Sequence, residues 1–348
     1  MQADLLEAMV ENPYHLVVPA DPHLAPQVLR RHRVEGTPHF DVPVPADAPL
    51  PEWATGGIVY AATAAPTGTP RSCVMPDAPG LPGGQLVHGA ADAAPVWHDG
   101  VRLGATWTDG FGTWLHLAGL GGSDPTLPRP EQAARCYDRC AQVLAAHGFG
   151  FTDVVRTWFQ LDRILDWYDD FNRVRSARLA GQAPAAAPAS TAVGGRTHDG
   201  GAISLALLAL KPAPGVHVAT LRSPLQGPAP AYGSRFSRAL RIDAPGASWL
   251  TVSGTASIAP DGRTARVGDL PGQVALTVDV LDALLSAQDC PWSAVDGAVL
   301  YVSPGVDPAQ ALVLTRARLG AVPLIASVQQ VCRGDLLVEI ELDARLGG

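Results

Sequence analysis

The sequence predicts an α+β fold: two tandem copies of one unit, helices packed on one face of mixed sheets, after an irregular N-terminal strand-and-loop region. Three observations predict it. The same order of apolar patterns occurs twice, about 140 residues apart. Within each copy, strand-like runs alternate with segments of helical periodicity. Before residue 110 the chain is rich in proline and alanine, with short β-like pieces such as residues 57–61. The boundaries read as 1–110 for the N-terminal region, 111–220 for the first unit and 221–348 for the second.

In the first unit, residues 114–119 read as a strand running into a glycine. After a proline-rich loop, Ala133, Cys136, Tyr137, Cys140, Val143 and Leu144 recur at helical spacing and predict an amphipathic helix that ends before Gly148. Residues 154–161 are strand-like, 164–179 form a second helix, and the apolar run 203–210 closes the unit. In the second copy, 249–254 is again a strand ending in glycine and 273–285 a helix, with Gln273 matching Gln132. Residues 297–302 form a strand, 307–319 a helix and 335–342 the closing strand. Arg318-Leu319 repeats Arg178-Leu179.

Composition bounds the function. With 348 residues, 47% hydrophobic and 17% charged, the chain can bury a sizeable core, which excludes disorder as its dominant state. No apolar run reaches the ~20 residues of a membrane span. The acidic N-terminus lacks the basic and apolar regions of a signal peptide, so the expectation is a cytoplasmic protein. A net charge of −8 argues against general nucleic-acid or membrane-surface binding. Lys211 is the sole lysine, so anionic ligands must be met by arginine forks. Five cysteines and ten histidines show no CxxC, HExxH or finger-like spacing, and no metal site is expected. Phosphate-binding glycine loops and nucleophile elbows are absent as well.

The copies differ in their closing strands. The first is almost wholly apolar; the second carries Glu339 and Glu341 on one face, with Val338, Ile340 and Leu342 on the other. A carboxylate on a strand face that walls a pocket has a raised pKa and can act as a general acid. Cys332 lies just upstream beside Arg333. Arg235 and Arg238, with Tyr232, lie in the segment entering the second unit and suit a dicarboxylate ligand. The cluster Asp166, Asp169 and Asp170 reads as the wet side of a helix.

These motifs resemble a known family. The strand-Ser-Gly run, the helix opening at Gly272-Gln273 and the strand ending in Val-Glu-Ile resemble the Rid/YjgF fold, a chorismate-mutase-like unit. Over roughly residues 110–348, Tyr232-Gly233, FSRA at 236–239, VSGTA at 252–256, Gly268-Asp269 and DLLVEIE at 335–341 resemble chorismatases, which carry two such units. The resemblance implies a monomer that removes pyruvate from chorismate without metal or organic cofactor, with Glu339 as catalytic acid. It further implies that two ring-facing positions, matching Gly254 and Cys332 here, separate the product branches. Glycine and cysteine there point to 3-hydroxybenzoate, with a related branch giving 4-hydroxybenzoate as well. Glycine at 254 is expected to leave room for the ring to shift.

For the substrate carboxylates the expected residues are Arg238 and Arg235, followed by Tyr232, Thr255, Gln273 and Arg178. Three alternatives stand beside this reading: a hydrolytic chorismatase giving a dihydroxycyclohexadiene carboxylate, a Rid-type imine deaminase, and a non-catalytic metabolite-binding protein on the same fold.

Overall fold

The structure, a computed structural model, describes residues 93–122, 124–180, 187–197, 200–228 and 235–347, together with the backbone of six strands nearer the N-terminus. Those six are β1 (Leu16–Val18), β2 (Gln27–Leu29), β3 (Phe40–Val44), β4 (Ala54–Tyr60), β5 (Arg71–Met75) and β6 (Gly84–Gly89).

The first unit comprises β7 (Ala94–His98), β8 (Val101–Asp109), β9 (Gly112–Gly121), α1 (Arg129–Ala146), β10 (Val154–Leu161), α2 (Tyr168–Arg178), β11 (Ala189–Gly194), the two-residue β12 (Arg196–Thr197) and β13 (Ile203–Pro212). The second comprises β14 (His217–Leu221), β15 (Ala239–Ala244), β16 (Ala247–Ala256), α3 (Leu270–Ser286), β17 (Val295–Val302), α4 (Pro308–Leu319), β18 (Leu324–Val328) and β19 (Val338–Leu346). Their six-stranded sheets run β7-β8-β9-β13-β10-β11 and β14-β15-β16-β19-β17-β18, so the strands correspond one to one. In each sheet only the last pair, β10-β11 or β17-β18, is parallel.

β7 and β8, ahead of residue 111, pair into the first sheet, and β14, which starts ahead of residue 221, into the second. Both leading hairpins are short and carry mixed burial, which leaves no clean alternation to read. The parallel strands β11 and β18 were also invisible: each is a short buried run following a helix. The helix expected at 164–179 is a 3₁₀ turn, Ile164–Asp166, followed by α2.

Three apolar clusters hold the layers together. Cys136, Cys140, Leu144, Phe159 and Leu207 fill the space between the first sheet and its helices. Val274, Leu281, Leu300, Ile340 and Leu342 do so in the second. The third cluster lies between the two sheets, where Trp158, Leu208, Leu240, Ile242 and Tyr301 meet. The order across the molecule is therefore helices, sheet, sheet, helices. At its centre the equivalent residues Trp114 and Trp249 touch edge to face, with ring centroids 5.5 Å apart. Of the N-terminal strands, β3 to β6 form their own sheet, β12-β5-β4-β6-β3, stitched to the first unit by β12, while β1 pairs with β2 alone. Among the described residues, no helix is long and apolar enough to cross a membrane.

Candidate active site

The alternation of β19 sends Val338, Ile340, Leu342 and Ala344 toward the helices of their own unit. Glu339 and Glu341 consequently face the sheet of the first unit. Between the units lies a cleft of about 190 Å³. Ser190 and Ala192 of β11 and Tyr168, Asp169, Asn172 and Arg175 of α2 form one wall. Opposite them are Phe236, Arg238, Gly254, Cys332, Arg333 and Glu339.

Glu339 is 5% exposed, and among the described residues no hydrogen-bond donor reaches its carboxyl. Burial pushes that carboxyl up to about 8; the neighbouring Glu341 adds to the rise, while Arg238 and Arg156 oppose it. At neutral pH the group is therefore mostly protonated. The Cys332 thiol, on the same cleft, is pushed up to about 12 by burial and then by Glu339, so it is a neutral thiol and no nucleophile.

Gly254 sits in a β-bulge where β16 pairs with β19. A methyl group built on it would overlap Glu339 Oε1 and lie 2.8 Å from Glu339 Cδ and 3.1 Å from Thr191 Cγ2. In this structure the Glu339 carboxyl lies in the space beside Gly254. Gly254 allows Glu339 to lie flat against the strand.

Glu341 is different. It is 2% exposed and takes four donors. Arg156 Nη2 lies 2.7 Å from Oε2, which also accepts from the Thr191 hydroxyl; Trp158 Nε1 at 3.1 Å and Tyr301 Oη at 3.0 Å bond to Oε1. Burial raises its pKa while Arg156 and these hydrogen bonds act against the rise. Thr191 Oγ1 already accepts from Arg156 Nη2 at 2.9 Å and from the Gly254 amide at 3.0 Å, so its own hydrogen goes to Glu341. A carboxylate surrounded this way is ionised.

The remaining expected residues divide. Arg238, 4% exposed, lines the cleft with its guanidinium over the Phe236 ring and donates to Gly227 O from Nε and Nη2. Arg235 lies outside the cleft and bonds Ser176 O at 3.2 Å. Thr255 is buried off the cleft, its hydroxyl donating to Ser253 O at 2.9 Å. Gln273 is wholly buried: its amide donates to Asp335 O at 2.9 Å and accepts from Leu337 N at 2.8 Å, fastening α3 to the approach to β19. Its counterpart Gln132 does the same in the first unit, accepting from Ala202 N at 2.8 Å. Both are scaffold. Arg178 is half-exposed and pairs with Asp138 at 2.9 Å, as Arg318 pairs with Asp279 at 2.6 Å, so neither faces the cleft. Tyr232 lies outside the described residues.

Sequence reasoning missed Arg175. It is 2% exposed on α2, donates from Nη2 to Asn172 Oδ1 at 2.6 Å, and has a buried Nε with no partner among the described residues. The signal was present in the repeat, since its counterpart on α4 is Thr315, an arginine-for-threonine difference between the copies. Asp169, read as a solvated helix residue, is exposed and stands on the cleft rim. The cleft combines a neutral carboxylic acid, two buried guanidinium groups and a thiol. It can bind an anion and deliver a proton from a buried carboxyl.

Comparison with known proteins adds the fold. No family model matches the chain, and no curated protein matches it. Among solved structures, a chorismatase crystal structure aligns over 90% of this chain and 100% of its own, with 21% identity and a TM-score of 0.72. Single-unit structures align over 37% of this chain: protein YjgH (21% identity, 97% of that chain, TM-score 0.31) and yeast Mmf1 (15% identity, 98% of that chain, TM-score 0.31). The chain therefore has the two-unit α+β fold seen in the chorismatase structure.

Proposed function

We propose that this protein is an enzyme that removes pyruvate from chorismate, with Glu339 as the proton donor and 3-hydroxybenzoate as the ring product. The observation that carries this reading is the Glu339 carboxyl: buried, free of donors among the described residues, neutral near pH 7, and set in an arginine-lined cleft between the units. The whole-length likeness to a chorismatase structure supports the substrate.

Chorismate carries two carboxylates, an enolpyruvyl ether at C3 and a hydroxyl at C4. Arg238 and Arg175 are the buried cations available for the carboxylates, one contributed by each unit. Glu339 gives its proton to the methylene carbon of the enol ether, leaving an oxocarbenium ion on the side chain. The C4 hydroxyl oxygen then attacks C3 as the C3–O bond breaks. Its electron pair completes the pyruvate carbonyl, and the hydroxyl proton returns to Glu339. The resulting epoxide opens at C4 and loses the C3 hydrogen, which yields the aromatic ring. Water is neither consumed nor formed, and no oxidant is required.

The hydrolytic outcome would instead need water at the side-chain carbon. Phe236, Ala256 and Ile258 in the cleft lining support the dry route, as do Gly254 and Cys332 at the two positions that the family resemblance associates with the aromatic product. The test is incubation with chorismate. Pyruvate is read by a lactate dehydrogenase couple, and the ring product by chromatography against 3-hydroxybenzoate, 4-hydroxybenzoate and the diol. Absence of pyruvate refutes the reading; pyruvate with the diol refutes the product.

A further inference from the structure

Glu339 and Glu341 lie about 7 Å apart on one face of β19. One is left open to the cleft, while the other is bonded on both oxygens. Three of the four groups that grip Glu341 come from the first unit: Arg156 and Trp158 of β10 and Thr191 of β11. Only Tyr301 belongs to the second. Arg156 is wholly buried over the Trp158 ring, and its Nε and Nη1 have no partner among the described residues. A buried ion pair of this kind contributes little net stability, because desolvating both charges offsets their attraction.

The other copy has none of it. The positions equivalent to Glu341, Arg156, Trp158 and Thr191 are Ala206, Gly297, Val299 and Ile325. The network thus occurs once, at the interface that holds the acid. It also reaches the acid through a second path, since Thr191 accepts the amide of Gly254, the residue against which Glu339 lies.

We propose that Glu341, gripped across the unit interface by Arg156, Trp158, Thr191 and Tyr301, is a positioning residue that keeps the Glu339 carboxyl neutral and flat against Gly254. Its fixed negative charge disfavours a second one on the same strand face. Among the described residues, the other charged or titratable groups around Glu339 are Arg156 of β10, Arg238 before β15, Cys332 and Arg333 before β19, and Tyr168, Asp169 and Arg175 of α2. Arg156 and Arg238 favour the ionised acid, and Glu341 outweighs each of them.

The functional consequence rests on Glu339 being the acid of the proposed reaction, but the test does not. In protein labelled with carbon-13 at the glutamate carboxyls, the Glu339 resonance is identified by its loss in Glu339→Gln and titrated without substrate. Glu341→Gln is expected to lower the Glu339 pKa by at least about one. The double variant Arg156→Met/Glu341→Gln, which leaves no unpaired buried charge and so protects folding, is expected to lower it less. The alkaline limb of pyruvate release moves in parallel. An unchanged Glu339 titration in either folded variant overturns the inference. A shifted titration in a protein that releases no pyruvate from chorismate instead refutes the reaction and leaves the inference standing.

Discussion

The two units share a strand order, a bulge in the central pair and a buried glutamine fastening the first helix to the closing strand, yet only one closing strand is charged. Ser204 stands where Glu339 does, Ala206 where Glu341 does, and on the second helix Thr315 stands where Arg175 does. The proposed acid comes from the second unit and one buried guanidinium from the first, so neither copy holds the candidate site alone. Even matched residues differ in purpose. Gly119 takes a positive φ of 71°, a conformation that suits glycine; at its counterpart Gly254 a side chain would instead meet the Glu339 carboxyl. The two copies share their packing and divide the candidate site between them.

The largest effect should follow from removing the buried carboxylic acid that only one closing strand carries. Glu339→Gln keeps the shape and removes the proton, so pyruvate release from chorismate is expected to fall about 10²–10⁴-fold with an unchanged circular dichroism spectrum. The same variant should be more stable than the parent. An unfolded carboxyl ionises near 4.5, whereas the folded one holds its proton to about 8. The folded state thus loses stability as pH rises through that window, and the gain in Tm for Glu339→Gln should be larger at pH 8 than at pH 4.

Next comes the helix difference. Arg175→Thr gives the first unit the residue of the second, and losing a buried partner of a carboxylate costs about 2–5 kcal/mol, read as a raised KM. Equal KM values for variant and parent would remove Arg175 from the site. A smaller effect is expected from Gly254→Ala, whose methyl group must push the Glu339 carboxyl aside. It should lower kcat more than it raises KM, whereas the same change made only to enlarge or shrink the ring's space would alter product ratio alone. The smallest effect belongs to the matched surface pairs. Arg178→Ala and Arg318→Ala should each change stability by at most about 1 kcal/mol and leave turnover untouched.

The repeat was legible because apolar periodicity is dictated by packing: β9, α1, β10 and their counterparts emerge from spacing alone. The paired glutamates were legible for the same reason, since a two-residue period puts Glu339 and Glu341 on one face. Spacing along one strand could not reveal that the two have opposite surroundings. That difference arises from Arg156, Trp158 and Thr191, which approach from strands of the other unit. The arginines were misjudged on similar grounds. Nearness to the second repeat favoured Arg235, while Arg178 recurs as Arg318, and recurrence marks what both copies need for folding. Arg175, which does not recur, faces the cleft.

The central claim is most directly tested by pyruvate release from chorismate between pH 5 and 10, for the parent protein and Glu339→Gln side by side. The parent should be active at neutral pH and lose activity as pH rises through about 8, with the glutamine variant nearly inactive throughout. A glutamine variant that releases pyruvate at the parent's rate would contradict the account.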